Sequence, residues 1–372
     1  MARHLSSRVV IACGGTGGHF FPGAAVGREL LTAGARVTLL VSSKSVDRQA
    51  ARTQEGMDIR EISAAALQRR APWRFLSGLC RSLTEIHGIY RSDPPSAVLV
   101  MGGFTSAAPA LLGWLWDVPV FLHESNAIPG RANRLLAPLA CGVFAGFGAA
   151  RGRFLHQSVE VTGTPVRSAF FRLDTADCRA RLGLKADRPV VLVMGGSQGA
   201  RSINELVCGM LPKLLVARPD LQFLHLTGDT DLNSVRSAYR VARGRAVVRA
   251  FLNDMPAALG AADVAVGRSG ASSLAELAAA GVPAVLVPMP GSADDHQRHN
   301  ARYYSEAYGA KVVEQSAGPA ALRAAILDQL NNPKTGSLPA SRDEGAATRV
   351  AARILEVVCQ RGLSIKTQVA MA

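Results

Sequence analysis

RVVIACGGTGGH, residues 8–19, joins a short apolar run to paired glycines and then to a segment of helical character. The β-branched run predicts a buried strand. Glycine lets the backbone turn sharply and lets its N–H groups approach a ligand, and the helix that follows would present its positive N-terminal end to an anion. The segment therefore predicts a strand–loop–helix unit that can hold a phosphate group.

The same arrangement returns about half a chain later in PVVLVMGGSQGA, residues 189–200. One glycine-rich loop is a weak signal, but two in one chain are more specific. A chain of 372 residues is long enough for two domains, each with its own core. We therefore expect two Rossmann-like domains that face each other across a cleft.

Apolar runs alternate with segments of helical period along the chain, which is the pattern of a parallel sheet covered by helices. The predicted strands are residues 8–13, 36–42, 97–101, 118–122, 142–145 and 158–161, then 190–194, 222–226, 246–249, 263–266 and 284–287. The predicted helices are 22–34, 45–54, 75–91, 105–114 and 130–138, then 200–217, 232–242, 254–260, 271–280, 295–308 and 318–331.

The pattern restarts after GTPVR, residues 163–167, which is the best candidate for a domain boundary. The predicted domains are residues 1–166 and 167–345. A last helix, residues 346–359, could cap the second domain or cross back to the first. Residues 360–372 are predicted to form a tail.

The composition is that of a folded, basic protein. Hydrophobic residues make up 48% of the chain and charged residues 19%, which excludes a disordered chain. The net charge of +14 favours an anionic partner, which could be nucleic acid, an anionic lipid or a phosphorylated substrate.

The cysteines and the N-terminus bear on location. The six cysteines occur singly, without the paired spacing of a zinc or redox site, and this favours a reducing compartment. The first predicted strand begins close to Met1, which leaves no room for a signal peptide, and no apolar run reaches the roughly 20 residues that span a bilayer. The sequence predicts a cytoplasmic protein that can still lie on a membrane.

His19 ends the first glycine-rich segment and would meet whatever that loop binds. Histidine side chains normally titrate near neutrality, so a histidine here could remove a proton from an attacking hydroxyl. It could also contact a ligand without proton transfer, or only help to cap the helix. The sequence leaves these three roles open.

RSGASSLAELAAAGVP, residues 268–283, predicts a second anion site. Ala271, Ser272 and Ser273 would offer N–H groups and hydroxyls at a helix N-terminus, which suits a pyrophosphate. Glu276 follows within about one turn, and its carboxylate could accept hydrogen bonds from a ribose diol. Helix capping alone is the alternative, because serine and glycine are common at helix starts.

DDHQRHN, residues 294–300, allows two interpretations. Its two aspartates and two histidines could ligate a metal. Gln297 and Asn300 are three residues apart and would share one helix face, which favours recognition of a sugar by side-chain amides.

Polar residues also follow two predicted strands of the first half. HESN, residues 123–126, follows one strand, and MGGFTS, residues 101–106, ends another. In open α/β domains ligands bind at the carboxyl edge of the sheet. We therefore expect Glu124 and Asn126 to lie at the binding edge of the first domain.

RRAPWRFLSGLCRSL, residues 69–83, mixes apolar side chains with arginines and contains no acidic residue. Such a mixture suits the headgroup boundary of an anionic membrane, and Trp114 and Trp116 could extend the surface. The alternative is an ordinary helix with its apolar face in the core. The predicted membrane contacts are Trp73, Arg74, Phe75, Leu76 and Leu79.

Seven motifs, in this order, resemble the MurG family of UDP-N-acetylglucosamine transferases: GGTGGHFFPG, HESNAIPG, GTPVR, GGSQGA, FLNDM, RSGASSLAELAAAGVPAVLVP and HQRHNA. The resemblance runs from about residue 9 to residue 359. It implies an α/β GT-B fold of two Rossmann-like domains whose parallel sheets face a cleft, with the last helix packed back on the first domain.

The activity that the resemblance implies is an inverting transfer of N-acetylglucosamine from UDP-N-acetylglucosamine to undecaprenyl-pyrophosphoryl-muramoyl-pentapeptide. This reaction converts lipid I to lipid II in peptidoglycan biosynthesis, without a covalent sugar intermediate, a cofactor or a tightly bound metal. The implied location is peripheral, on the cytoplasmic face of the bacterial inner membrane. An anionic membrane surface is then a partner, and nucleic acid is not.

The resemblance also implies roles for single residues. His19 corresponds to the family histidine that serves the acceptor, and the proton of the attacking hydroxyl would pass to His19 or to a carboxylate such as Glu124. The implied donor contacts are Thr16, Gly17, Gly18, Asn126, Arg167, Ser197, the Leu252 backbone, Ala271, Ser272, Ser273, Leu274, Ala275, Glu276 and Gln297.

Other functions stay open on the sequence. Another UDP-sugar transferase of the same fold could act on a different lipid acceptor, and a UDP-sugar epimerase would release UDP without one. A non-catalytic sugar-nucleotide sensor would bind the donor without turnover. A dinucleotide oxidoreductase is disfavoured, because the second predicted strand leads into VSSK, residues 41–44, and not to an acidic residue.

Overall fold

The chain divides into two compact units, Met1–Arg167 with Glu344–Ala372 and Ser168–Asp343. The computed structural model describes residues 7–15, 17–43, 54–63, 72–155, 158–171, 173–196, 199–332 and 345–371, with backbone only for 72–76 and 363–371. Two predicted donor contacts, Thr16 and Ser197, lie outside the described residues, as do residues 45–53 of one predicted helix.

The first unit is built on a parallel sheet of seven strands. These are β1 (Arg8–Ala12), β2 (Arg36–Ser42), β3 (Asp58–Ile62), β4 (Ala97–Val100), β5 (Val120–Glu124), β6 (Gly142–Ala145) and β7 (Val159–Val161), in the order β3-β2-β1-β4-β5-β6-β7. The helices described between them are α1 (Gly17–Thr32), α2 (Pro72–Ser92), α3 (Ala107–Leu115) and α4 (Arg131–Leu136). Every residue of β1 is buried, as expected for a central strand covered on both faces.

The second unit repeats this plan with a parallel sheet of six strands. These are β8 (Val190–Met194), β9 (Gln222–Leu226), β10 (Ala246–Arg249), β11 (Val264–Gly267), β12 (Ala284–Leu286) and β13 (Lys311–Val312), in the order β10-β9-β8-β11-β12-β13. The described helices are α5 (Thr175–Leu182), α6 (Arg201–Ala217), α7 (Leu232–Ala238), α8 (Met255–Ala261), α9 (Ala271–Ala280), α10 (His296–Tyr308) and α11 (Gly318–Asn331).

The last helix, α12 (Gly345–Met371), belongs to the first unit. Its residues Ala347, Val350 and Ile354 are buried in one core with side chains of β1, β2 and α1. The Thr348 hydroxyl hydrogen-bonds the Glu29 carboxylate at 3.1 Å. The helix continues to Met371, so the end predicted at residue 359 is too early.

Every strand predicted from the sequence is present, with ends that differ by a few residues at most. Two further strands were not predicted, because their sequences lack an apolar run. Strand β3 reads DIREI and is mostly exposed at the sheet edge, and β13 has only two residues. Helix α5, TADCRARL, was also not predicted, because its sequence is polar and short.

In each sheet the strand order reverses between two neighbouring parallel strands. These pairs are β1 with β4 and β8 with β11. The connections that leave such a pair run in opposite directions, which opens a crevice at the carboxyl edge of the sheet. In both units a glycine-rich loop lies at this crevice.

Candidate active site

The crevice of the first unit brings together the loops that follow β1 and β4. A Cβ atom on Gly14 would lie 2.4 Å from the Ser42 nitrogen, so only glycine fits there. A Cβ atom on Gly103 would lie 3.1 Å from His19 Cε1 and 3.2 Å from His19 Nδ1, which places the imidazole directly against this second loop. His19 is half-buried in the first turn of α1, where it can meet a ligand.

Glu124, at the end of β5, is buried with 3% of its surface exposed. Its Oε1 accepts hydrogen bonds from Asn126 N at 2.8 Å and Asn126 Nδ2 at 3.0 Å. Its Oε2 accepts from Gly130 N at 2.9 Å and Asn133 Nδ2 at 2.8 Å. The carboxylate therefore anchors the loop after β5 and the start of α4.

This environment does not suit the proton-accepting role predicted as one option for Glu124. Four donors already occupy its two oxygens, and protonation would break at least one of these bonds. Asn126, the neighbouring predicted donor contact, is held by both its backbone and its side chain.

His123 differs from His19 in being fully buried. Its Nε2 lies 3.1 Å from the Gly163 carbonyl, so Nε2 carries the proton and donates, while Nδ1 faces the Ser125 hydroxyl at 3.4 Å. Burial lowers the pKa of His123 to about 4. The ring is a neutral structural link between the ends of β5 and β7.

Arg167 and the first residues of α1 lie near each other in the first unit. The Arg167 guanidinium is 4.7 Å from the centre of the Phe21 ring, in a cation–π contact. Arg167 was assigned to the second domain from the sequence, whereas the structure groups it with the first unit. Gly17 and Gly18 form the N-terminus of α1, and Gly18 is exposed.

The crevice of the second unit holds a pocket of about 300 Å³. It lies between the loops after β8 and β11 and the residues at the start of α10. Its walls are formed by Met194, Gly195, Gly196, Gly199, Ala200, Arg268, Gly270, Ser273, Met289 and Gln297.

The glycine-rich loop of this pocket is packed too closely for larger residues. Gly199 has a φ of +74°, and a Cβ atom there would lie 2.1 Å from the Thr227 carbonyl oxygen. That oxygen accepts a hydrogen bond from Asn204 Nδ2 at 3.0 Å. Asn204 Oδ1 lies 3.0 Å from Nε2 of the buried His225.

Sequence analysis did not single out Asn204, His225 or Thr227. Two features of the sequence could have pointed to them. His225 is a histidine inside the apolar strand QFLHL, and Asn204 is an asparagine in the first turn of α6. Both side chains are buried, and buried polar groups need partners. Together they support the turn on which Gly199 rests.

The N-terminus of α9 faces the same pocket. Gly270 is its N-cap and provides no side-chain cap, so the first N–H groups of the helix and the Ser273 hydroxyl lie at the pocket wall. Ser272 and Glu276 are four residues apart on one face of α9. Such a terminus attracts anions through its partial positive charge.

Three further predicted contacts lie on α9, namely Ala271, Leu274 and Ala275. Leu274 is 1% exposed, and its N–H donates to the Gly270 carbonyl at 3.0 Å. Its side chain packs in the core and its N–H is used within the helix, so neither group supports the ligand contact at Leu274, which stays a prediction. Ala271 is buried and can contribute only backbone atoms, and Ala275 is half-buried.

The start of α10 is fixed to the start of α9 by hydrogen bonds. Ser269 Oγ donates to the Gln297 carbonyl at 2.7 Å, and Asn300 Nδ2 donates to the Ser269 carbonyl at 3.1 Å. Gln297 Oε1 accepts from Met289 N at 3.0 Å, which leaves the Gln297 amide nitrogen for the pocket. Asn300, which could have contacted a sugar, is fully buried and structural.

Arg268 places a positive charge in the pocket wall. Its guanidinium donates to the Val287 and Pro288 carbonyls at 3.0 and 3.1 Å and to Ser202 Oγ at 2.7 Å. Burial lowers the pKa of Arg268 below its usual value, but the group stays charged at neutral pH.

Leu252 lies in the loop that leaves β10 at the carboxyl edge of the second sheet. Its side chain is buried, so a ligand would meet its backbone. The loop is ordered by Asp254, which accepts a hydrogen bond from Ala257 N at 3.1 Å and caps α8.

The metal interpretation of residues 294–300 gains no support from their geometry. Asp294 and Asp295 form a tight turn with φ of 48° and 51°, and His296 Nδ1 lies 2.7 Å from the Ala293 carbonyl. Among the described residues, no three histidine, cysteine or acidic side chains are grouped as a metal site requires.

The predicted membrane contacts lie at the start of α2, but the side chains of Trp73, Arg74, Phe75 and Leu76 are outside the described part of the structure. Leu79 packs partly against the core of the first unit, which is the alternative that the sequence left open. Exposed apolar side chains do occur at the end of α3, namely Trp114, Leu115 and Trp116. In the described ranges, no helix combines the length and apolar character needed to cross a bilayer.

Comparison with known proteins gives matches over nearly the whole chain. The glycosyltransferase family 28 N-terminal domain matches residues 9–145, and the C-terminal domain of that family matches residues 190–357. The UDP-N-acetylglucosamine–N-acetylmuramyl-(pentapeptide) pyrophosphoryl-undecaprenol N-acetylglucosamine transferase of Acidithiobacillus ferrooxidans is 40% identical over 321 residues, covering 84% of this chain and 85% of that protein.

The protein of the same name from Nitrosococcus oceani is 38% identical over 368 residues, covering 95% of this chain and 99% of that protein. The crystal structure of Acinetobacter baumannii MurG aligns with a TM-score of 0.71 and 26% identity, over 94% of this chain and 99% of that one. These matches confirm an α/β fold of the GT-B class with two Rossmann-like units. The chain therefore belongs to glycosyltransferase family 28 and, within it, to the MurG family.

Proposed function

We propose that this chain transfers N-acetylglucosamine from UDP-N-acetylglucosamine to undecaprenyl-pyrophosphoryl-muramoyl-pentapeptide, with inversion at the anomeric carbon. The observation that carries the proposal is the pocket of the second unit, in which a tight glycine loop and the N-terminus of α9 form two anion-binding walls. The relatives at 38–40% identity are named for this reaction.

The second unit binds the donor. Its diphosphate lies against the glycine loop and the N-terminus of α9, beside the Ser273 hydroxyl and the Arg268 charge. Glu276 accepts hydrogen bonds from the ribose hydroxyls, and the Gln297 amide contacts the sugar. The Leu252 backbone meets the uracil, because its buried side chain fixes the loop.

The first unit supplies the proton acceptor. The acceptor hydroxyl oxygen forms a bond to the anomeric carbon while the bond from that carbon to the β-phosphate oxygen breaks. The hydroxyl proton passes to His19, and the bonding electron pair leaves with UDP. The α9 N-terminus stabilises the negative charge that develops on the departing diphosphate.

Glu124 acts as a positioning residue and not as the base. Its four hydrogen bonds hold Asn126 and the start of α4 at the carboxyl edge of the first sheet. Asn126 is thereby presented to the substrate with little freedom to move.

Binding to an anionic membrane follows from the lipid-linked acceptor. Trp114, Leu115 and Trp116 expose 52%, 60% and 37% of their surface, and Trp116 packs edge-on against His87 and Tyr90 of α2. Exposed aromatic residues on a basic protein favour the membrane interface. We therefore assign a peripheral membrane contact of the first unit to these exposed side chains at the end of α3.

The test is incubation of the purified protein with radiolabelled UDP-N-acetylglucosamine and the lipid-linked muramoyl-peptide. Label should appear in a disaccharide lipid, and release of UDP should require the acceptor. UDP release or sugar isomerisation without the acceptor would instead indicate an epimerase. Donor binding without any turnover would indicate a sensor, and transfer only to other lipids would assign a different acceptor.

A further inference from the structure

A basic surface lies on the second unit, and none of its arginines lines the donor pocket. The segment between Asp231 and Asp254 contains no acidic residue. Four of its five arginines are exposed and the fifth is half-buried. These residues define what we call the β10 surface: Arg236, Arg240, Arg243, Arg245 and Arg249.

These arginines differ from several others of the second unit in lacking acidic partners. Arg218, Arg298 and Arg302, for example, form ion pairs with nearby carboxylates. Within the part of the chain that the structure describes, no carboxylate lies within ion-pair distance of the β10 surface arginines. The positive charge there is therefore not neutralised internally.

The β10 surface is concave. A pocket of about 270 Å³ is formed by the side chains of Arg236 and Arg240, together with Tyr239, Gly244, Ala246 and Val248. β10 pairs only with β9, so the pocket opens along the free edge of the sheet. Arg236 Nη2 reaches the Val248 carbonyl at 3.3 Å, which holds this guanidinium over the pocket.

Two large apolar side chains of this segment, Val241 and Phe251, are exposed among the arginines. Val241 has 49% of its surface exposed and lies between Arg240 and Arg243 in the sequence. An array of guanidinium groups around an exposed aliphatic side chain suits a phospholipid headgroup layer. Tyr239, the aromatic residue of the pocket, is buried, so the pocket itself offers no exposed ring for stacking of nucleic acid bases.

We propose that the β10 surface binds the phosphate groups of anionic phospholipids, and that the pocket of Arg236 and Arg240 accepts one headgroup. Guanidinium groups bind phosphate through paired N–H donors. This contact uses residues of the second unit, whereas the exposed Trp114, Leu115 and Trp116 belong to the first. It does not depend on which sugar acceptor the enzyme uses.

The test compares two double variants of the full-length chain in co-sedimentation with phosphatidylglycerol-containing vesicles at low salt. In the first, Arg236→Gln and Arg240→Gln remove two charges from the β10 surface. In the second, Arg218→Gln and Arg302→Gln remove two charges that are already paired. The first should lower the partition coefficient about twenty-five-fold and the second much less, because each unpaired arginine contributes about fivefold.

A local probe shows contact with this surface even if the first unit also binds. A Val241→Cys variant carries an environment-sensitive fluorophore, with the exposed Cys80, Cys141 and Cys359 changed to serine. Its emission should shift with phosphatidylglycerol vesicles and not with phosphatidylcholine vesicles. A matched probe at Val216, which is 84% exposed on α6, should not respond.

Three outcomes would overturn the proposal. Equal losses in the two double variants would show an effect of net charge alone. A silent Val241 probe on vesicle-bound protein would show that this surface stays in water. If soluble glycerol phosphate shifted the emission of the Val241 probe as much as vesicles of the same phosphate concentration do, the pocket would be assigned to a free phosphate ester. Transfer to a water-soluble acceptor analogue should be unchanged in both double variants, which separates this test from that of the catalytic proposal.

Discussion

His19 and His123 are two histidines at the same sheet edge, but their surroundings differ. His19 lies half-buried against Gly103, within reach of a ligand. His123 has no exposed surface and uses Nε2 to hold the Gly163 carbonyl. Of these two histidines, only His19 is exposed enough to meet the proton of a bound substrate, which is the role that we propose for it.

We predict that His19→Ala lowers kcat roughly a hundred- to ten-thousandfold with little change in the KM for UDP-N-acetylglucosamine, since the variant loses the base and keeps the donor pocket. In the wild type, activity should fall as the pH is lowered, because a protonated base cannot accept the hydroxyl proton. This acidic limb should be absent from the pH profile of the variant.

Glu124→Gln is the matched control. It leaves buried donors without an acceptor and should lower both stability and kcat, at about 1–3 kcal/mol for each unsatisfied group. Because Glu124 only positions the loop, the acidic limb of the pH profile should remain. Loss of that limb in Glu124→Gln, with its retention in His19→Ala, would assign the base to Glu124.

His123 makes the stability of the first unit depend on pH. Its pKa is about 4 in the folded chain and 6.5 in the unfolded one, so between these values only the unfolded chain binds the proton. The free energy of unfolding should be constant above pH 6.5 and fall by about 2 kcal/mol between pH 6.5 and pH 5 from this group.

Urea unfolding followed by tryptophan fluorescence measures this effect, because Trp73, Trp114 and Trp116 all belong to the first unit. The His123→Gln variant, which keeps a side-chain donor, should lose this part of the pH dependence. His225→Gln removes a second buried histidine, whose pKa is lowered to about 3, but in the unit without tryptophan. An unchanged pH dependence in His123→Gln would contradict the prediction.

At the scale of secondary structure, the repeated unit is a strand, a glycine-rich loop and a helix. In the second unit this loop packs against the turn that follows β9. The contact is between Gly199 and the Thr227 carbonyl. Asn204 and His225 fix that carbonyl in turn. The shape of the donor pocket therefore depends on side chains that do not touch the donor.

We predict that Gly199→Ala raises the KM for UDP-N-acetylglucosamine roughly ten- to hundredfold, because the new methyl group forces the loop away from Thr227. Gly183→Ala is the control, since its φ of +73° is nearly the same but no atom lies within 4 Å of a Cβ atom there. Initial rates at varied donor concentration measure the KM of each variant, and isothermal titration measures its donor affinity. Similar donor affinities in the two variants would show that backbone strain, not the contact with Thr227, governs the loop.

At the scale of the whole molecule, the last helix completes the core formed by the first residues of the chain. Val350 and Ile354 of α12 are fully buried against side chains of β1, β2 and α1. Arg361 near its end donates a hydrogen bond to the Asp117 carbonyl at 2.6 Å. The first unit is therefore incomplete until the whole chain has been made.

We predict that Ile354→Ala destabilises the first unit by about 2–5 kcal/mol, as expected for a cavity in a packed core. The loss should appear as a lower urea midpoint of the tryptophan-detected transition. Arg353→Ala, on the exposed face of the same helix, should change that midpoint little. Equal effects of the two substitutions would mean that α12 contributes through helix formation and not through packing.

Much of the fold follows from local sequence. The runs VVIA and VVLVM predict central strands because a strand buried on both faces must be apolar along its whole length. The paired glycines after them predict the two loops, since few other residues allow a sharp turn so close to a ligand. The polar edge strand β3 carries no such signal, because exposure removes the need for a pattern.

The roles of the site residues depended instead on contacts between distant parts of the chain. Gly163, 40 residues after His123, makes that histidine a structural link, and Asn133 is one of the donors that hold the Glu124 carboxylate in place. Leu274 lies in a motif for anion binding, yet its side chain faces the core.

Residue order along the chain was thus enough to establish two glycine-loop α/β units and the family to which they belong, because turns and strand patterns arise from neighbours in sequence. Burial, proton affinity and ion pairing were not accessible in that way. They depend on which groups meet in space, as the unpaired arginines beside β10 and the four donors around Glu124 illustrate.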